Sequence, residues 1–374
     1  MRVDNPGLVM SETQSAAVNA VLIPLLRALE MLALLARYLH PPDTSNLMAQ
    51  TGAPEEALRL AMANQPAWPE TLAGIAAPLD AASTAALQAF AGLRAALGDG
   101  GDLRASYRAL RLLPKGLEAL YPLAGILPAV NQFFLDPSLR SDQALQQLLL
   151  RAPVRDTTGV MHIGDDERAG FWLYVPEHYT PDRAWPLVTA LHGGSGTGRQ
   201  FLWSWLRDAR SRGAILAAPT STQNTWALLG PDPDTPNLLG MLDFIRAKWN
   251  VDPARLLLTG MSDGGTFAYV SGLAAHSPFT HLAPVAAAFH PLLAEMADPD
   301  RLRGLPIHII HGTRDWMFPV ELARQARRAL TRAGATVTLR EVADLSHAFP
   351  RELNGAILSW LATTAAPAPA APGR

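Results

Sequence analysis

The feature that most constrains this fold is an apolar run that ends in two glycines flanking a serine. The run covers residues 255–259, and Gly260-Met-Ser-Asp-Gly264 and a stretch of helical pattern follow it directly. At a sharp turn from strand to helix the backbone crowds its neighbours, so the positions two before and two after the apex must lack a Cβ atom. Gly260 and Gly264 meet that demand. The segment therefore predicts a buried strand, a tight turn with Ser262 at its apex, and a helix.

Three further candidate residues each follow an apolar, strand-like run. Their order along the chain relative to Ser262 is compatible with a serine nucleophile. Gly194 lies in a glycine turn upstream of Ser262, and Asp315 and His347 follow later runs. Because functional loops of a parallel sheet gather beyond the carboxyl ends of its strands, these positions are expected at one edge. A neutral serine hydroxyl needs a nearby base to take its proton, and the base needs an orienting partner. The segments therefore indicate a serine, an aspartate and a histidine that act together.

With these motifs, residues from about 156 to 363 resemble an α/β-hydrolase of the carboxylesterase, phospholipase and polyhydroxybutyrate-depolymerase type. The resemblance implies a serine hydrolase that cleaves carboxylic esters through an acyl-enzyme. Carried over position by position, it makes Ser262 the nucleophile, Asp315 the acid that orients the imidazole and His347 the general base. The backbone N–H groups of Gly194 and Asp263 would form the oxyanion hole.

Three other histidines compete with His347 for the role of base. His308 and His311 lie in or at the end of an apolar strand, where a histidine is more often a buried, hydrogen-bonded structural residue. His192 precedes the glycine turn and is expected to support that loop. His347 has both a loop position and the required chain order.

Residues near the same sheet edge are candidates for a substrate pocket. Gly193 allows the backbone to approach a substrate closely, and Trp226 and Trp316 could line an acyl or alcohol pocket. The alternative, that the tryptophans close the core beneath the loops, stays open because tryptophan is usually highly buried. Asp234, in a proline-rich loop, suggests a rim around the site or a cap of the next helix.

The 374 residues, 49% of them apolar, can bury a large core and suggest two unequal domains. Residues 1–152 contain helical patterns separated by proline and glycine and are predicted to be all helical. Residues 153–363 alternate short apolar runs with helical segments, which predicts an α/β domain whose mostly parallel central sheet is flanked by helices. The Ala-Pro repeats of residues 364–374 predict a disordered tail.

The periodicity also predicts where individual elements lie. The helices expected in the N-terminal region are residues 11–38, 54–64, 81–97, 103–113 and 141–149. An antiparallel hairpin is expected at residues 160–163 and 170–175, and further strands at residues 187–191, 214–218, 255–259, 282–288, 307–310 and 336–342.

Composition narrows the possible partners. The formal net charge of −2 gives no electrostatic reason to expect a nucleic acid, so a small-molecule or lipid ester fits better. The absence of cysteine excludes disulfides, thiolate metal sites and a cysteine nucleophile, and no metal or cofactor is expected. The glycines of residues 193–198 lack the G-K-[ST] ending of a phosphate-binding loop. The sequence leaves the oligomeric state open.

Residues 16–39 are the most apolar stretch, but charged residues such as Arg27 and Glu30 interrupt it. Burying those charges in hydrocarbon is costly, so a packed or amphipathic helix is expected rather than a membrane span. No small-residue cleavage site follows a basic start, and a cytoplasmic location is expected. A basic stripe on the predicted helix 103–113 is more often a solvated face than a membrane contact.

Two other functions remain alternatives at this point. The same triad cleaves amides when the pocket can protonate a departing amine, which makes a peptidase or amidase one alternative. The other is a non-catalytic binding protein built on a hydrolase fold, with the helical half mediating association. In an active enzyme, that helical half is a candidate lid or interface.

Overall fold

The computed structural model describes residues 10–98, 102–164 and 168–364, and the chain divides into two compact units at Val154 and Arg155. The sequence places this boundary after residue 152. Residues 365–374 of the predicted tail lie outside the described part of the chain.

The described part of the first unit consists of α-helices joined by loops and short 3-10 turns. Its helices are α1 (Glu12–Tyr38), α2 (Thr44–Thr51), α3 (Glu55–Ala63), α4 (Ala73–Gly98), α5 (Leu103–Leu110), α6 (Leu112–Leu120), α7 (Pro128–Phe133) and α8 (Gln143–Leu150). This confirms the all-helical prediction for the region. Faces rich in leucine and alanine pack together to form its core.

Helix α1 begins at a cap that the sequence supplies. Ser11 Oγ accepts a hydrogen bond from the Gln14 N–H at 3.2 Å, and Gln14 Oε1 accepts one from the Ser11 N–H at 2.9 Å, which forms a capping box. By length and composition this helix could cross a membrane, with a mean hydropathy of 1.9, but 44% of the apolar window is buried inside the protein. Its buried positions recur at three- and four-residue spacing, which is the stripe of a packed helix: Val18, Val21, Leu22, Leu25, Ala28, Leu29, Leu32 and Leu35.

Two helix predictions are wrong near prolines. Residues 103–113, predicted as one helix, form α5 and α6 with Arg111 between them, because Pro114 has no N–H to donate to the carbonyl of Leu110. Helix α4 begins at Ala73 rather than at residue 81 and runs through Pro78. Helices α2 and α7 were not predicted, since eight and six residues are too few for a clear periodic pattern.

The second unit is built on one sheet with the strand order β1-β2-β4-β3-β5-β6-β7-β8. Strand β2 runs antiparallel to both of its neighbours, and strands β3 to β8 are parallel, which confirms the predicted hairpin and the mostly parallel sheet. Strand β6 is shorter than predicted, because Ala286 turns the chain with a φ of 47°. The strands are β1 (Gly159–Ile163), β2 (Phe171–Val175), β3 (Trp185–Leu191), β4 (Ile215–Pro219), β5 (Val251–Met261), β6 (His281–Val285), β7 (Pro306–Gly312) and β8 (Thr336–Val342).

The connections between strands create a crevice at the carboxyl ends of β3 and β5. These strands are neighbours, but the chain leaves β3 toward β4 on one side and leaves β5 toward β6 on the other. Ligands of open α/β sheets bind at such a switch point. The helices of this unit are α9 (Gly198–Arg212), α10 (Asp234–Lys248), α11 (Asp263–Gly272), α12 (Leu292–Met296), α13 (Pro299–Leu302), α14 (Val320–Arg332) and α15 (Asn354–Thr363).

Candidate active site

The turn between β5 and α11 is strained and tightly packed. Ser262 has a φ of 56° and a ψ of −120°, a conformation that non-glycine residues rarely adopt. A Cβ atom on Gly264 would lie 2.4 Å from the carbonyl oxygen of His192, and one on Gly260 would lie 2.5 Å from the carbonyl of Gly264. Both contacts are shorter than real Cβ atoms make, so these two glycines allow strand and helix to meet here. The turn holds Ser262 at the carboxyl edge of the sheet.

Ser262, His347 and Asp315 form one hydrogen-bonded chain. His347 Nε2 lies 3.0 Å from Ser262 Oγ, and His347 Nδ1 lies 2.9 Å from Asp315 Oδ2. The serine follows β5, the aspartate lies in the loop after β7, and the histidine lies in the loop after β8. The structure thus brings together three side chains that the sequence places in separate segments.

Asp315 is anchored through both carboxylate oxygens. Its Oδ1 accepts hydrogen bonds from the backbone N–H groups of Met317 at 2.9 Å and Phe318 at 2.8 Å, while Oδ2 faces His347. Burial favours the neutral acid, but the hydrogen bonds from His347, Phe318 and Met317 outweigh it and hold the pKa of Asp315 below its ordinary value. The resulting carboxylate keeps a proton on His347 Nδ1 and leaves Nε2 to face Ser262.

His311, one of the rival histidines, supports the same loop. It is buried at the end of β7, and its Nε2 lies 2.8 Å from the carbonyl oxygen of Phe318 and 3.5 Å from Asp315 Oδ2. Because a carbonyl oxygen only accepts, Nε2 carries the proton and donates it. His308 is bonded instead to Thr338 Oγ1, at 2.8 Å. Both histidines therefore have structural partners within the described residues.

His192 holds the loop that follows β3. The Ser221 N–H donates to its Nε2 at 3.1 Å, so its proton is on Nδ1, which donates to the Gly193 carbonyl at 2.7 Å. Burial lowers the pKa of His192 to about 4, which keeps the ring neutral at pH 7. The Trp226 indole donates to the His192 carbonyl at 2.8 Å and stacks on Phe267. With 2% of its surface exposed, Trp226 closes the core beneath the loop and presents only a small part of its surface to the cleft beside it.

The glycine turn after β3 lies against Ser262. A Cβ atom on Gly193 would lie 3.6 Å from Ser262 Cβ, and one on Gly194 would lie 2.8 Å from Asp263 Oδ2. The N–H of Asp263 is in the first turn of α11, where a helix offers it no acceptor. The N–H of Gly194 makes no hydrogen bond to another described residue. Both amides are therefore available to an oxygen atom of a bound molecule.

A cleft of about 490 Å³ opens beside this turn and is lined mainly by residues 222–234. Thr225 Oγ1 donates to Asp263 Oδ2 at 2.5 Å, which ties the cleft to the turn. Asp234 is buried and accepts hydrogen bonds from two backbone N–H groups of the same loop, both at 2.8 Å. Asp234 therefore anchors the loop that lines the cleft. Thr225 carried no sequence signal, because its partner lies 38 positions away.

Trp316 follows Asp315 in the chain and lies beside the His347 ring. Its ring centroid lies 6.3 Å from that of His347, and 42% of the residue is exposed. The neighbouring Met317 is 44% exposed, while Phe318 is half-buried and meets the His347 ring edge-on at 5.3 Å. The predicted pocket residue Trp316 thus lies on an open surface next to the imidazole, unlike Trp226.

Residues 223–368 match the dienelactone hydrolase family, a range that includes Ser262, Asp315 and His347. Among characterised proteins, the chain is 29% identical over 149 residues to the bifunctional acetylxylan esterase/xylanase XynS20E of Neocallimastix patriciarum. That similarity covers 38% of this chain and 21% of the relative, so the chain spans about a fifth of the length of the relative it matches.

Several solved structures are similar to part of the chain. A thermostable esterase has 21% identity and a TM-score of 0.45, over 55% of this chain and 62% of its own. A truncated carbohydrate esterase from gut microbiota has 14% identity and a TM-score of 0.46, over 57% of this chain and 100% of its own.

Proposed function

We propose that this protein is a serine hydrolase that cleaves carboxylic esters, with the second unit acting as an α/β-hydrolase domain. The observation that carries the proposal is the hydrogen-bonded chain from Ser262 Oγ through His347 to Asp315, with the serine on a strained turn. The family match and the relative named as an acetylxylan esterase support an ester substrate.

In the first half of the proposed reaction, Ser262 Oγ attacks the carbonyl carbon while His347 Nε2 removes the hydroxyl proton. Asp315 stabilises the imidazolium that forms. The carbonyl oxygen gains negative charge, and the N–H groups of Gly194 and Asp263 donate to it, each worth about 3 to 4 kcal/mol in comparable hydrolases. The imidazolium then gives its Nε2 proton to the alcohol oxygen as the C–O bond breaks, and the acyl group stays on Ser262.

In the second half, a water molecule takes the place of the alcohol. His347 Nε2 removes a proton from the water as its oxygen attacks the acyl carbon, and then returns that proton to Ser262 Oγ as the acid leaves. All esters of one acid pass through the same acyl-enzyme. The rate of this second half therefore does not depend on the alcohol.

Replacement of the nucleophile tests the proposal. We expect Ser262→Ala to lower turnover of short p-nitrophenyl esters by roughly 10⁶-fold, with the melting temperature retained. Ser271→Ala, a serine of α11 that is 3% exposed, is the matched control and should keep normal turnover. Full activity in the Ser262→Ala protein would refute the assignment.

The two alternative functions give different results in the same assays. A peptidase or amidase would also hydrolyse a matched amide at a measurable rate, whereas we expect turnover of the ester and none of the amide. A non-catalytic binding protein would not react with a fluorophosphonate probe, whereas we expect labelling at Ser262. Esters of increasing acyl length and acetylated xylan belong in the panel, the latter because of the relative's name.

A further inference from the structure

The position of His347 in the hydrogen-bonded chain determines where the alcohol of the ester leaves. In the proposed reaction His347 gives its Nε2 proton to the alcohol oxygen, and that nitrogen lies 3.0 Å from Ser262 Oγ. Proton transfer requires the alcohol oxygen to come within about 3 Å of Nε2. The rest of the alcohol must then extend across the surface that surrounds the imidazole.

Two aromatic side chains lie beside the His347 ring. Phe318 packs edge-on to the His347 ring and belongs to the loop that anchors Asp315. Trp316 also lies beside the imidazole, but it and Met317 leave 42% and 44% of their surfaces exposed. Large apolar side chains are normally more stable when buried, so Trp316 beside the base, with its exposed neighbour in the chain, is a surface that a bound molecule can cover.

The side of the site next to the glycine turn has a different character. There Asp263 carries a carboxylate beside Gly194, and Thr225 Oγ1 holds it with a hydrogen bond of 2.5 Å. The adjoining cleft is lined by both polar and apolar residues, such as Gln223 and Leu229. A charged group thus lies next to the candidate oxyanion hole, and an exposed aromatic surface lies next to the imidazole that protonates the alcohol.

We propose that Trp316, with Met317 beside it, is the alcohol subsite, and that it favours esters whose alcohol carries a flat ring with an apolar face. An aryl ring and a pyranose ring share this chemistry, since either can stack on an indole and exclude water from it. The inference rests on the proposed function and adds the alcohol half of the substrate to it.

A set of esters that share one acid and differ in the alcohol tests the contact between Trp316 and the alcohol. Phenyl acetate, an acetylated methyl pyranoside and ethyl acetate form the same acetyl-enzyme, so a contact with the alcohol changes kcat/KM and leaves a kcat limited by deacylation unaltered. We expect Trp316→Ala to lower kcat/KM by about tenfold for the two ring-bearing esters and by less than about twofold for ethyl acetate. Trp316→Phe keeps a flat ring and should retain most of the preference.

An exposed apolar residue outside the candidate active site is the control. Leu60 is 54% exposed in α3, and Leu60→Ala should leave the ratio of kcat/KM values for phenyl and ethyl acetate unchanged. A loss confined to the phenyl ester would support the subsite for aromatic alcohols, and a loss confined to the pyranoside would support it for sugars.

Other results would overturn the inference. Equal losses on all three esters, a fall in the deacylation-limited kcat, or no loss at all would show that Trp316 does not contact the alcohol. If the unsubstituted protein hydrolysed no ester and no fluorophosphonate label appeared, the proposed function itself would fail. Ester hydrolysis that is independent of Trp316 would remove the inference alone.

Discussion

The helical unit and the α/β unit bury different kinds of side chain. The core of the helical unit is mainly leucine and alanine, and its buried carboxylate, Glu55, is paired with Arg94. In the α/β unit, buried polar side chains occur on helices as well, but one group lies where the strands end: His192, Ser262, His311, Asp315 and His347. Buried polar groups cost free energy unless hydrogen bonds compensate them. This group of histidines, serine and carboxylate therefore distinguishes the carboxyl edge of the sheet from the core of the helical unit.

The two units also differ in backbone strain. In the α/β unit, Ala169, Ser195, Ser262 and Ala286 have positive φ angles, and all but Ala169 follow a strand that borders the site. In the described residues of the helical unit, only glycine has a positive φ. Such conformations persist where the surrounding structure enforces them, and they cluster at functional sites. The comparison predicts that substitutions in the two units have effects of different size and kind.

The largest effect on stability is expected at the turn beside Ser262. A Cβ atom on Gly264 would lie 2.4 Å from the His192 carbonyl, so Gly264→Ala must displace the backbone and should destabilise the α/β unit by more than about 4 kcal/mol. Gly240, in α10, has open space around its Cβ position, and Gly240→Ala should stabilise by about 0.5 to 1 kcal/mol. Urea unfolding of both proteins measures the difference. Equal effects would contradict the steric argument.

Acid should weaken the α/β unit before it weakens the helical one. Burial lowers the pKa of His192 and of His281 to about 4, from 6.5. As the pH falls from 6.5 to 4, the unfolded chain takes up protons that the folded unit does not, so the stability present above pH 6.5 is lost across that window. The loss for His192 approaches about 3 kcal/mol, and His281, which is also buried, adds a loss in the same direction. The helical unit contains one histidine, His40.

Urea unfolding between pH 7 and pH 4 tests this acid sensitivity. His192→Gln should flatten the dependence of the unfolding free energy on pH, even if it lowers that free energy at pH 7. His290→Gln, at an exposed position, is the control and should leave the slope unaltered. A pH slope that survives in the His192→Gln protein would assign the acid sensitivity to other groups.

The smallest effect is expected at a helix cap of the first unit. Asp142 Oδ1 accepts a hydrogen bond from the Leu145 N–H at 3.0 Å at the start of α8, so Asp142→Ala should cost about 1 kcal/mol. Asp142→Asn keeps an acceptor and should cost less. Neither change should alter ester turnover at a temperature where the protein stays folded. A parallel loss of turnover would show that the helical unit contributes more than packing.

Much of the α/β unit could be predicted because its signals are local. Apolar runs located the parallel strands, and the Gly260 and Gly264 spacing located the turn at Ser262. The helical unit was harder to delimit, since a proline can end a helix, as before Pro114, or lie within one, as at Pro78. Which outcome occurs depends on packing that a single helix does not encode.

The sequence by itself determined the helical and α/β divisions, the mostly parallel sheet and the positions of the candidate serine, aspartate and histidine. These follow from periodicity and backbone sterics, which act over a few residues. Only the tertiary structure decided that Trp226 is buried while Trp316 stays exposed beside His347, and that Thr225 holds Asp263. Those outcomes depend on contacts between segments far apart in the chain. No local sequence pattern specifies which side chains of a loop will be covered by a distant segment.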